Sequence, residues 1–138
     1  MIDLYEIANM AAKALIREMG KQGMLQLEQT AFDRTKVDVQ NFKKALELLS
    51  NDQVPQDFKK KIAMHSINMQ RALKRLNEIV KDQDFILFYQ LNFNGQTYRS
   101  LAAQYEVDER TVRTAVNRCI SNLSIFLHPD VFIDEILN

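Results

Sequence analysis

Gln96-Thr-Tyr-Arg-Ser-Leu-Ala-Ala-Gln-Tyr105 and, beyond Glu106-Val107-Asp108, Glu109-Arg-Thr-Val-Arg-Thr-Ala-Val-Asn-Arg-Cys-Ile-Ser-Asn-Leu-Ser-Ile-Phe126 are the stretch on which the fold of this chain turns. The first segment predicts a helix of about two to three turns. Asp108 stands where it caps a longer helix, Glu109 to about Phe126, which places Val112, Ala115, Val116, Cys119, Ile120 and Leu123 at spacings of three and four. Two helices that cross through so short a turn need a small side chain where they touch, and Ala102 supplies it. The apolar positions around Ala102 sit at fixed offsets: Leu101 one before, Tyr105 three after, Val107 five after, Val112 ten after and Ala115 thirteen after.

If Val112, Ala115, Val116 and Cys119 face inward, helical spacing turns Glu109, Arg110, Arg113, Thr114 and Asn117 outward. Arg pairs bidentately with guanine, Asn with adenine, and Thr meets a thymine methyl, so Arg110, Arg113, Thr114 and Asn117 are the candidate base contacts in double-stranded DNA. Arg118 is a candidate phosphate contact. So are Thr97, Arg99 and Ser100, which open the preceding helix with hydroxyls, a guanidinium and free backbone amides. The alternative is a protein-binding scaffold whose exposed arginines are merely solvated. Residues 96 to 128 hold four Arg against three acids, so phosphate contacts alone give modest affinity without dimerisation or a partner.

Upstream, Asp82 or Asp84 is placed to cap a short helix, Phe85 to about Asn92, and Asn94-Gly95 turns the chain. Over about residues 84 to 127 the chain resembles sigma-factor region 4 and its relatives, including the ArpU and RinA-like regulators of late genes in phages of Gram-positive bacteria. Phe85-Ile-Leu-Phe-Tyr-Gln-Leu-Asn-Phe-Asn-Gly95 is similar to the helix and Gly turn before that helix-turn-helix, and Thr111-Val112-Arg113 with Arg118 to its recognition helix. The N-terminal half resembles the phage group more weakly, through Phe32-Asp-Arg and Val37 to Leu49. The resemblance implies promoter DNA and bacterial RNA polymerase as partners. It also implies a protein that is sigma-like but not a complete sigma factor, since the region that melts promoter DNA has no counterpart. Two departures stand out: Glu106 replaces the usual Gly, at a cost on the order of 1 kcal/mol if its φ is positive, and Ala115 replaces a frequent Arg.

Towards the N-terminus, Leu4, Ile7, Ala11, Leu15 and Met19 predict a helix from about Asp3 to Met19, ended by Gly20 and Gly23. Leu25, Phe32, Val39 and Leu46 then fall seven apart, with Phe42 and Leu49 three residues after two of them and Glu28 and Thr35 interrupting the seam. That pattern fits either a helix packed inside its own chain or a coiled-coil arm making a homodimer. Ser50 to Gln56 turns the chain, and a third helix runs to about Lys81 with Phe58, Ile62, His65, Met69, Ala72, Leu76 and Ile79 on one seam. Residues 58 to 81 carry seven Lys or Arg against one acid, which makes either a solvated face or one that meets phosphates or an acidic partner. Residues 129 to 138 hold three acids and no base; Asp130 to Leu137 reads as a packed terminal helix or a docking segment.

The expected fold is all-α, with a helical arm or bundle for dimerisation or polymerase contact over 1 to 81 and a sigma-region-4-like helix-turn-helix domain over 82 to 138. With 3 Gly and 2 Pro in 138 residues, little of the chain is set aside for loops. Net charge is zero, from 18 basic and 18 acidic side chains, which argues against indiscriminate coating of nucleic acid. One cysteine, no signal-peptide pattern and no apolar run of about 18 to 20 residues point to a reducing cytoplasm rather than a membrane, and the resemblance implies that of a bacterial host cell. His65 and His128 are isolated imidazoles, Cys119 reads as core and no Gly-rich phosphate loop is present, so neither enzyme chemistry nor a metal or cofactor is expected. Two rival readings remain: a phage packaging component resembling a small terminase, although those usually place the DNA module first, and a polymerase-binding adaptor that does not read DNA.

Overall fold

A computed structural model describes residues 7–15 and 30–137; these are helical, with short turns between the helices from α2 onward, and no strand lies among them. Helical residues 7–15 belong to α1. They are followed by α2 (Ala31–Leu49), α3 (Gln56–Ile79), α4 (Asp82–Phe93), α5 (Tyr98–Gln104), α6 (Glu109–Leu127) and α7 (Pro129–Leu137). The all-α expectation holds.

The core is organised around α6, against which α2, α3, α4 and α5 all pack. Its inward residues Val112, Ala115, Val116, Cys119, Ile120 and Leu123 are the six that the spacing predicts, and all are buried. Leu87 and Phe88 of α4, Leu101 and Ala102 of α5, Val39 and Phe42 of α2, and Met69, Leu73 and Leu76 of α3 complete one cluster with them. The Phe93 ring meets Phe42 edge-on at 5.6 Å and Phe88 at 6.1 Å, in the T-shaped geometry that aromatic quadrupoles favour. Both sides of the expected division at 81/82 therefore contribute to the same core.

α2 begins at Thr30, whose hydroxyl accepts a hydrogen bond from the Asp33 N–H at 3.1 Å. Its inward face is Ala31, Thr35, Val39, Phe42 and Ala45, while Phe32 and Leu46 are only half-buried. Thr35 is accommodated because its hydroxyl donates to the Ala31 carbonyl at 2.7 Å. Packing within the chain thus accounts for Val39 and Phe42; Leu25 and Glu28 of the seven-residue seam lie outside the described residues.

Two helix faces are rotated from the expected ones. In α1 the buried positions are Ala8, Ala12 and Leu15, with Ile7 and Ala11 exposed; Leu4 and Met19 lie outside the described residues. Ala8 and Ala12 form a second cluster with Ala45, Val54 and Ile62, where small side chains allow close helix approach. In α3 the seam passes through Ser66 instead of His65, and Ile79 is exposed. Ser66 satisfies its hydroxyl on the Ile62 carbonyl at 2.8 Å, whereas an imidazole in that place would be buried with two ring nitrogens to satisfy. Val80 takes the core contact expected of Ile79.

The capping of α4 also differs from expectation. Lys81 occupies the cap position without a side-chain bond, and Asp82 and Asp84 lie in the first turn, where the helix dipole favours them. At the other end, α7 has no fully buried residue, and Ile133, Ile136 and Leu137 are exposed. It returns to the start of α2, where Glu135 Oε1 accepts the Ala31 N–H at 2.8 Å. Among the described residues no helix is long and apolar enough to cross a membrane.

Candidate nucleic-acid interface

Gly95, at φ 70°, reverses the chain after α4. A reciprocal capping box then opens α5: the Thr97 hydroxyl accepts the Ser100 N–H at 3.0 Å, and the Ser100 hydroxyl accepts the Thr97 N–H at 2.9 Å. Ser100 also donates to Gln96 Oε1 at 2.9 Å. Both hydroxyls expected at a phosphate are thus engaged in building the helix start, while Arg99 beside them is exposed.

The α5–α6 turn is closed by the Val107 N–H on the Ala102 carbonyl at 3.0 Å. Glu106 within it has φ 55°, the conformation for which Gly is the usual choice. Asp108 Oδ1 accepts the Arg110 N–H at 3.2 Å and caps α6 as the sequence predicts.

Arg110, Arg113, Thr114 and Asn117 are all exposed on α6, opposite a face that is fully buried. Two of them are held locally. The Arg113 guanidinium lies 4.4 Å from the centre of the Tyr98 ring, bridging α6 to the first residue of α5. Thr114 donates its hydroxyl proton to the Arg110 carbonyl at 2.9 Å, as threonines in helices commonly do.

Arg118 is placed differently. Its Nε lies 3.1 Å from Asp84 Oδ2 and its Nη2 donates to Asp84 Oδ1 at 3.3 Å, a two-point pairing between α6 and α4. The Asp84 side chain is 12% exposed and that of Arg118 55%, so the guanidinium keeps outward N–H groups beyond the pair. Behind it, the Cys119 thiol is pushed up to about 12, first by burial and then by the Asp84 charge, with Arg118 pulling the other way. It stays a neutral thiol and offers no nucleophile.

The chain matches no family model, no curated protein and no solved structure.

The geometry brings together an exposed quartet on one helix, with Arg99 next in sequence to the Tyr98 that braces Arg113. It does not join Arg118 to that quartet as a free cation. Tyr98 and Asp84 escape sequence reasoning because their partners lie fifteen and 34 positions away, beyond any helical period. Among the described residues no group of three or more His, Cys, Asp or Glu is arranged to hold a metal ion.

Proposed function

We propose that this chain is a sequence-specific DNA-binding transcription regulator of the sigma-region-4-like helix-turn-helix kind, acting at promoters with a bacterial RNA polymerase. The observation that carries the reading is the exposed quartet Arg110, Arg113, Thr114 and Asn117 on a helix whose opposite face is fixed in the core. A helix fits the major groove, about 12 Å wide, and its residues one turn apart advance about 5.4 Å, enough to pass from one base pair towards the next but one. The quartet thus spans a short run of base edges.

Orientation comes from the neighbouring parts. Ala102 at the crossing and Glu106 in the turn, at φ 55°, support the resemblance at the two positions where such a motif is most constrained. The contact with Tyr98 limits the freedom Arg113 loses on meeting a base, which favours binding. Arg99 and the outward N–H groups of Arg118 serve as phosphate contacts in this reading, while Thr97 and Ser100 hold the start of α5 in place. The outer faces of the N-terminal helices contact polymerase or a second copy; Val39 and Phe42, being core residues, take no part.

Selection of bound fragments from a random DNA pool, at a stated salt concentration, tests the proposal. Enrichment of a common sequence whose preference is relaxed at one or two base pairs in Arg113→Ala supports it. A folded wild type that enriches nothing, with or without polymerase, overturns it.

A further inference from the structure

We infer that the cleft between α2, α3 and the C-terminal end of α6 binds a small organic anion, one carrying a phosphate or carboxylate head on a compact body. The cleft has a volume of about 490 Å³, within the range of about 300 to 1,000 Å³ typical of small-molecule sites. It lies on the side of α6 where Phe126, Leu127 and His128 lead into α7, and involves none of the quartet.

Asn41 gives the cleft its polar interior. The residue is 5% exposed and borders the cleft from α2. It also borders the hollow between α1 and α2. A side-chain amide bordering a cavity suits a ligand that both donates and accepts.

The charge on the rim selects the head group. Arg71 and Arg75 lie one turn apart on α3 and both border the cleft. Arg75 is steadied 4.5 Å from the centre of the Phe126 ring, with its N–H groups free for a planar or tetrahedral oxyanion. Among the described residues of the lining Asp38 is the one acid, and its Oδ2 lies 2.5 Å from His128 Nε2, so that carboxylate is engaged. Apolar surface from Phe42, Met69 and Phe126 remains for the body of the ligand. Arg71 and Arg75 are exposed whereas Asn41 is 5% exposed, a depth that suits a small molecule better than a DNA backbone.

The test uses the full chain without DNA, labelled with nitrogen-15, and follows the Asn41 side-chain amide at about 150 mM salt. Adenosine monophosphate, glycerol phosphate, citrate and inorganic phosphate are titrated separately, and a short DNA duplex forms a further arm. The expected result is a saturable shift of the Asn41 amide and the His128 backbone by at least one organic anion, with Kd below about 1 mM. Arg71→Gln with Arg75→Gln, both exposed positions, weakens this by roughly tenfold or more. Asn41→Asp, which adds charge where the anion sits, removes it; Asn41→Leu, a check that fold and charge are not the cause, reduces the preference for the organic anion over inorganic phosphate. The inference is overturned if none of the four anions moves the Asn41 amide. It is also overturned if inorganic phosphate binds as well as every organic anion and Asn41→Leu changes nothing, or if only the duplex perturbs Arg71 and Arg75. Because the anion titrations contain no DNA, they succeed or fail independently of what α6 reads.

Discussion

Glu106 holds φ at 55°, a conformation that costs an L side chain about 1 to 2 kcal/mol. Glycine avoids that strain but makes the unfolded chain freer, so Glu106→Gly is expected to gain about 0.5 to 1 kcal/mol, read as a higher denaturation midpoint with unchanged slope. Glu106→Val should move the midpoint down. Arg113 and Cys119 face opposite sides of the same helix and call for different measurements. Arg113→Ala is expected to relax preference at one or two base pairs and cost about 1 to 3 kcal/mol on the best site, measured by binding-site selection and titration; full wild-type preference in that variant removes it from the reading set. Cys119 ionises at about 12 in the folded chain against an ordinary 9.0, because burial penalises its thiolate. The folded state keeps the proton longer, so this contribution to stability is complete below pH 9.0 and is lost as pH rises through about 12. Cys119→Ala should therefore show a shallower fall in stability across that alkaline window. The inward or outward placement of such residues is legible in the sequence because α6 repeats its apolar positions without interruption. The clasp of Arg113 on Tyr98 is not, since it depends on how α5 crosses α6.

Pairing between elements is where sequence reasoning reaches less far. A face made of large aliphatic residues, as in α6, is unambiguous. In α1, Ala8 and Ala12 compete with Ile7 and Ala11 for the inward side, and one residue of phase is a rotation of about 100°; Ala8 and Ala12 win by permitting close approach. Ser66 displaces His65 in α3 for a related reason, being small and able to satisfy itself on its own helix. Asp84 and Arg118 read singly as a cap and a phosphate contact, yet they bind each other across α4 and α6. That pair leads to two opposite expectations for one substitution. Asp84→Asn removes a charge-assisted contact from a mostly buried group and should lower stability by about 1 kcal/mol. It also frees the Arg118 guanidinium, so affinity for matched and scrambled DNA should rise together and the salt dependence steepen by about one counterion. Loss of stability with no change in the salt slope would restrict Arg118 to joining the two helices.

On the scale of the whole molecule, the proposed function would place a DNA-reading module after a division at 81/82, and the packing offers a direct way to test that division. Leu87, Phe88, Val116, Ile120 and Leu123 on one side share a core with Val39, Phe42, Met69, Leu73 and Leu76 on the other. Each large side chain so buried is worth about 1.5 to 3 kcal/mol, whereas a domain retains a net stability of only about 5 to 15 kcal/mol. A fragment of residues 82–138 loses five such partners at once and leaves the inward stripe of α6 partly open to water. It is expected to lack a cooperative thermal transition and to bind DNA weakly, while the full chain unfolds in a single step by both circular dichroism and calorimetry. Phe42→Ala, a change in α2 remote in sequence from α6, should lower the stability of the whole chain by about 3 to 5 kcal/mol and take DNA binding down with it near the new melting point. Should the fragment instead melt cooperatively and bind with the affinity of the full chain, α2 and α3 would be packed on an independent module, and the N-terminal helices would be free to separate from it when a partner binds.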